Sequence, residues 1–319
     1  MDKITNLNFY QTFDTITSKK IIVNTYSDKN LIKLARRNKD AYKLYKKLLE
    51  NNYMLYFHKD GKSHLYNRKY ISEIWKRKDL YQQGEIFYTI DKPEGRKNNE
   101  LSDDKRLLVI FTCMPANDNY DNHSLSERIF PKFFDGIERN LVKNVYIMRI
   151  TDLNLSHGSH YQNTDNYPTM ERDIIDSIKN VQNELDITDE KTVLYGVSKG
   201  GTGALHYGSM LDLKSLSVDP ILNLEEYNQK DEHFLKDLRK IDVTEDINSS
   251  LARQSNRKKY IIGSQNVEFN YSKIVKITGS NTVIINKKDN HIKEHPDVSR
   301  NTVPEQLMIL NHLLGGIQL

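Results

Sequence analysis

The stretch Thr192-Val193-Leu194-Tyr195-Gly196-Val197-Ser198-Lys199-Gly200-Gly201 joins a short apolar run to a Gly-x-Ser-x-Gly turn. Ala204, Leu205, Tyr207, Met210 and Leu211 follow at helical spacing. A strand must therefore reverse into a helix within a few residues, which forces Ser198 into a strained backbone conformation and lifts its hydroxyl above the sheet. Gly196 and Gly200 leave room for the turn, because a Cβ at either place would crowd the neighbouring strand or helix. The first turn of the helix brings free N–H groups beneath any negative charge that develops at the serine.

Such a turn is the nucleophile elbow of an α/β-hydrolase. A serine needs a base to take its proton, normally a histidine oriented by a carboxylate. In this fold the chain order is serine, acid, histidine, with the last two on loops after later strands. Val283-Ile284-Ile285-Asn286 reads as a strand, and Asp289-Asn290-His291 follows it. His291 is therefore the expected base, with His295 as its rival and His312 inside the last helix. After the strand Tyr260–Gly263 comes Ser264-Gln265-Asn266-Val267-Glu268. Asn266 stands where an Asp is frequent, so Glu268 is the expected acid; Asp219, after an earlier strand, is the second choice. The oxyanion hole calls for the backbone N–H groups of Lys199 and of Cys113, the latter in the loop after the first core strand. A Cys113–His nucleophile is the weaker alternative, since no elbow presents that cysteine. The loop 152–163 follows another strand end, the edge where such sheets bind ligands. Asp152 and Tyr161 there offer hydrogen bonds and a stacking face suited to a carbohydrate. The pairs His157/His160 and His291/His295 lack a third ligand at recognisable spacing, so no metal is expected.

The chain has 319 residues, room for a large domain and a smaller one. Its single cysteine allows no intramolecular disulfide and fits a reducing cytoplasm. No signal-like apolar segment stands at Met1–Asn6, and no apolar run approaches membrane-spanning length. Residues 1–100 carry 21 Lys and Arg against 12 Asp and Glu, and the remainder 26 against 31. A basic first third suits an anionic partner or a solvated lysine-rich surface; no nucleic-acid motif accompanies it.

The pattern predicts an α/β fold, a mostly parallel α/β-hydrolase-like sheet with a small N-terminal α+β domain. The small basic domain is expected over 1–95 and the catalytic one over 96–319, with a polar linker at 91–106. In the first, a helix is expected at 29–51, a hairpin around Asp60-Gly61, a helix at 69–81 and a strand at 84–90. In the second, strands are expected at 107–112, 144–150, 191–196, 214–218, 258–263 and within 273–285. Helices are expected at 125–141, 168–185, 199–212, 231–240 and 303–314.

The elbow Tyr195-Gly196-Val197-Ser198-Lys199-Gly200-Gly201, the Tyr-rich hairpin with Lys59-Asp60-Gly61-Lys62, and Gly84-Glu85-Ile86-Phe87-Tyr88 resemble the XcbB/CpsF family of bacterial capsular polysaccharide biosynthesis proteins. The elbow and its helix are also similar to the accessory secretory-system component that is an α/β-hydrolase-type O-acetyltransferase on glycosylated adhesins. The resemblance implies a cytoplasmic enzyme of surface-glycan assembly with Ser198 as nucleophile. The expected activity is that of a serine acyltransferase or esterase, O-acetyl transfer favoured. Its substrates would be an acyl donor, acetyl-CoA being one candidate, and a glycan or its precursor, with no bound cofactor and with glycan-synthesis proteins as partners. A non-catalytic hydrolase-fold scaffold is the alternative.

Overall fold

A computed structural model describes residues 4–99, 104–254 and 256–316. Among the described residues twelve strands run in chain order: β1 (Ile4–Asn8), β2 (Lys20–Asn24), β3 (Tyr53–Lys59), β4 (Lys62–Asn67), β5 (Tyr81–Gln83), β6 (Ile86–Asp91), β7 (Arg106–Phe111), β8 (Val145–Ile150), β9 (Thr192–Val197), β10 (Lys214–Val218), β11 (Lys259–Gly263) and β12 (Thr282–Asn286). The last eight form one sheet in the order β12-β11-β10-β9-β7-β8-β6-β5. The strands from β7 onward are parallel to one another, whereas β6 runs antiparallel to both β8 and β5. This order, with one crossing of β7 and β8 and an antiparallel edge, is the α/β-hydrolase sheet.

Its central strands are apolar throughout because both faces are covered. Leu107, Val109 and Phe111 point to one face, where they meet Ile174 and Ile178 of the helix Met170–Leu185 and Ala204 and Tyr207 of the helix Lys199–Met210. Leu108 and Ile110 point to the other, against Ile309, Leu310 and Leu313 of the helix Val303–Gly315.

The first four strands form a second sheet, in the order β1-β2-β4-β3. Its hairpin turns at Asp60 and Gly61, both at positive φ, as the Asp-Gly pair predicts. The expected strand 84–90 does not belong to this unit. As β6 it pairs with β8, so the large sheet starts before the linker rather than after it. Of that linker, residues 100–103 lie outside the described residues, as do residues 1–3 of the N-terminal stretch.

Several expected helices are shorter. The span 29–51 is two helices, Leu31–Ala35 and Lys39–Glu50, because Asn38 caps the second by accepting from the N–H groups of Asp40 and Ala41. The span 125–141 breaks after Ile129, just before Pro131, which has no N–H to continue it, and only the 3-10 stretch Ile137–Asn140 follows. The span 69–81 holds only the 3-10 stretch Arg68–Glu73. No helix forms over 231–240, where Asp231, Phe234 and Asp237 all take positive φ; Thr244–Gln254 is helical instead. Within 273–285 only the end, β12, is extended.

Candidate active site

Ser198 sits between β9 and the helix Lys199–Met210 with φ 58° and ψ −126°. A non-glycine residue there is strained, and the surrounding packing holds it. The space is set by two glycines. A Cβ on Gly196 would lie 2.0 Å from the Gly200 carbonyl oxygen, and one on Gly200 would lie 2.2 Å from that of Phe111. The Ser198 N–H donates to the Val218 carbonyl at 2.9 Å, which ties the turn to β10.

At Ser198 Oγ the partner is His295, through Nε2 at 2.7 Å. His295 Nδ1 meets Asp219 Oδ2 at 2.6 Å. Asp219 follows β10 and is 1% exposed. Its carboxylate can only accept, so Nδ1 carries the proton and Nε2 is free to receive one from Oγ. Asn270 Nδ2 donates to the same Asp219 oxygen at 3.2 Å. The Tyr227 hydroxyl, donating to Asn270 Oδ1 at 3.2 Å, fixes which way that amide faces.

His291 and Glu268 are not brought to the serine. The His291 side chain is 85% exposed and bonds Asp289 at 3.1 Å within its own turn. It directly follows the strand end and stays on the rim; the chain needs four more residues to reach back over Ser198. Those residues end in a built helix start. Asp297 accepts from the N–H groups of Lys293 and Glu294, and Pro296 occupies the first turn of His295–Arg300. Glu-His-Pro-Asp was thus a legible helix-start signal at the rival histidine. Glu268 is the exposed first residue of the helix Glu268–Ile274. The loop after β11 instead contributes amides. Asn270 supports Asp219, and Asn266 Nδ2 donates to the carbonyls of Asp289 and Ile292, pinning the turn that leads to His295. The carboxylate comes from one strand earlier.

Asp152 and Tyr161 are fully buried, so neither meets a sugar. The Tyr161 hydroxyl donates to the Thr112 carbonyl at 2.9 Å, and the Asp152 carboxylate faces Lys199 Nζ at 3.5 Å. Cys113 lies just past β7, whose last residues pack on Gly200 beside the elbow. Burial pushes its thiol up to about 11, which leaves it neutral and unsuited to nucleophilic attack. Among the described residues no group of His, Cys, Asp and Glu is placed to hold a metal, and no helix is long and apolar enough to cross a membrane.

A cleft of about 910 Å³ opens beside the site, with His295, Tyr227, Phe269 and Asn270 in its wall. The arrangement can withdraw a proton from Oγ, return it to a leaving group, and hold an acyl group on the serine meanwhile.

Residues 134–276 match the family model for Asp2, described as the accessory Sec system GspB-transporter. That stretch contains Ser198 and Asp219 and ends before His295. Among curated proteins none matches the sequence. Among solved structures, the chain is similar to the glycosylation-associated protein (Gap123) complex from Streptococcus agalactiae, at 16% identity and a TM-score of 0.53. That likeness covers 80% of this chain and 50% of the other, so the chain spans about half the length of that structure. It is also similar to the capsule O-acetyltransferase of Neisseria meningitidis serogroup A (14% identity, TM-score 0.48, 73% of this chain and 94% of that one). A further similar structure is FphF, a fluorophosphonate-binding serine hydrolase of Staphylococcus aureus (12% identity, TM-score 0.46, 73% and 96%). At these identities the Gap123 likeness is one of fold, and the fold is that of an α/β-hydrolase.

Proposed function

We propose that this chain is a serine acyltransferase or esterase of surface-glycan assembly, with O-acetyl transfer the favoured chemistry and the cytoplasm its place of work. The observation that carries the reading is the unbroken hydrogen-bonded path from Ser198 Oγ through His295 to Asp219. His295 takes the Oγ proton as Oγ attacks the acyl carbon. The N–H groups of Lys199 and Cys113 receive the oxyanion. The leaving alcohol or thiol departs with the proton held on Nε2. His295 then deprotonates a sugar hydroxyl or water, which takes the acyl group and frees the serine. Asp219 stabilises the imidazolium in both halves.

The glycan side of the reading draws on the Asp2 model match, on the fold likeness to a glycosylation-associated complex, and on the sequence resemblance to the XcbB/CpsF family. The same sources favour protein partners in glycan synthesis. Acetyl-CoA is one candidate donor. A non-catalytic scaffold is the second reading, favoured by the likeness to a member of a complex.

A fluorophosphonate probe separates the two. Ser198 is expected to label in the intact protein. Ser198→Ala abolishes labelling, His295→Ala slows it on the order of 10⁴-fold, and His291→Ala leaves it unchanged. A protein that refuses the probe is a scaffold, and one that needs His291 has a different base.

A further inference from the structure

The cleft beside His295 is acidic. Glu226, Glu232, Glu268 and Glu294 line it against one lysine, Lys230. All four carboxylates are on exposed residues, and none forms an ion pair among the described residues. Between them lie two rings, Tyr227 and Phe269, edge to face with centroids 6.2 Å apart. Tyr227 also packs its ring 6.1 Å from that of His295, so this apolar surface reaches the reacting atoms. The histidine bonded to Ser198 is thus part of the wall of a concave, negatively charged cleft with an aromatic surface. In such a concavity like charges reinforce one another, and field lines concentrate toward the opening.

We infer that the part of the substrate seated in this cleft is uncharged or positively charged, a neutral sugar face or a cationic group. Carboxylate-, sulfate- and phosphate-bearing groups are excluded from it, so the phosphates of an acetyl-CoA donor would have to lie outside this cleft. A neutral sugar would lay an apolar face on Tyr227 and Phe269 and present a hydroxyl toward His295. The inference rests on the acyl-transfer reading above.

Three acetyl thioesters that differ in charge test it: acetylthiocholine (cationic), S-acetyl-N-acetylcysteamine (neutral) and S-acetyl-3-mercaptopropionate (anionic). In the first turnover Ser198 Oγ bonds to the acetyl carbon, the C–S bond breaks, and the thiol leaves with the proton that His295 took. One thiol per enzyme is then read directly. At about 0.01 M salt the cationic ester is expected to acylate the enzyme roughly tenfold or more faster than the anionic one, with the neutral ester between. The ratio shrinks toward one near 1 M, as the screening length falls from about 30 Å to about 3 Å. The triple variant Glu226→Gln, Glu232→Gln, Glu268→Gln shrinks it at low salt. A flat or reversed ratio at low salt, or one that the triple variant does not change, overturns the inference. Fluorophosphonate labelling of the same preparation tells the two readings apart. A labelled Ser198 with a flat ratio removes the charge preference and leaves the triad; no label and no thiol release removes both.

Discussion

Lys199 is a charged side chain with no exposed surface, one residue after the proposed nucleophile. Its ammonium donates to the His157 carbonyl at 2.7 Å and stands 3.5 Å from Asp152. Asp152 in turn accepts from the N–H groups of Ser159 at 2.9 Å and Tyr161 at 3.3 Å. Burial pushes the Asp152 carboxyl up, and Lys199 opposes that by favouring the charged form. The side chain therefore fastens the loop 152–163 to the elbow, while the backbone N–H of the same residue is the proposed oxyanion donor. Lys199→Met is expected to leave Asp152 buried without its counter-charge, at a cost of about 3–5 kcal/mol. Adding Asp152→Asn, which keeps an acceptor for Ser159 and removes the charge, should recover part of that loss. Urea unfolding of the three proteins measures it, and an unshifted midpoint for Lys199→Met would show that the pair stabilises nothing.

Single elements differ in how far their sequence announced them. The elbow was legible because Gly196, Ser198 and Gly200 each meet a local steric demand that a few residues define. Most core strands were legible because burial on both faces leaves an apolar run. The residues of β6 announce a strand but not its sheet, since its pairing with β8 joins Tyr88 to Ile150, far along the chain. His295 and Asp219 were visible only as alternatives. Their meeting depends on how far two loops reach across the sheet edge, and spacing along the chain does not encode that.

The loop 152–163 and the segment around His233 illustrate the same limit and carry a prediction of their own. His157, His160 and His233 are buried together, and His160 and His233 stack with centroids 5.9 Å apart. Neither His160 ring nitrogen has a hydrogen-bond partner among the described residues. Burial, reinforced by Lys199, Arg36 and His295, pushes His233 down to about 4. Burial likewise holds His157 and His160 well below the ordinary imidazole range. The unfolded chain takes up protons near pH 6.5 while these folded rings stay neutral. Their contribution to stability is therefore complete above about pH 6.5 and is lost as the pH falls below it, for His233 over the range down to about 4. For His233 alone the loss is roughly 3 kcal/mol. Denaturant midpoints should fall between pH 7.5 and 4.5, and His233→Phe, which keeps the stacking, should flatten that fall. An equal slope in the variant would exclude His233 as a source.

At the scale of the whole molecule, the small N-terminal sheet and the hydrolase body share one core. Leu31, Leu44, Tyr45 and Leu48 pack with Leu155, Ile221, Leu224 and Phe234 from loops of the large sheet. Polar links run the same way. The Tyr45 hydroxyl meets Ser156 Oγ at 2.7 Å, and Arg68, 4% exposed, donates to Asn154 Oδ1 at 2.8 Å. Arg128 is fully buried and donates to the carbonyls of Ser156 at 2.9 Å and of Leu55 on β3 at 2.7 Å. Ser156 and Asn154 belong to the loop that Lys199 fastens to the elbow. A continuous path thus leads from the N-terminal sheet to the turn that holds Ser198. A fragment starting at residue 80 keeps every strand of the large sheet, yet it loses the cover of that loop and leaves Arg128 without its Leu55 acceptor. An unmet donor on a buried charge costs more than the bond itself contributed. The fragment is therefore expected to bind a hydrophobic dye, to unfold without a cooperative transition, and to lose fluorophosphonate labelling at Ser198. Limited proteolysis of the intact protein within 91–106 should leave the two pieces associated through gel filtration, because the shared core outlasts the cut chain. A fragment that folds cooperatively and still labels would make the N-terminal sheet an independent attachment, with no part in holding the site.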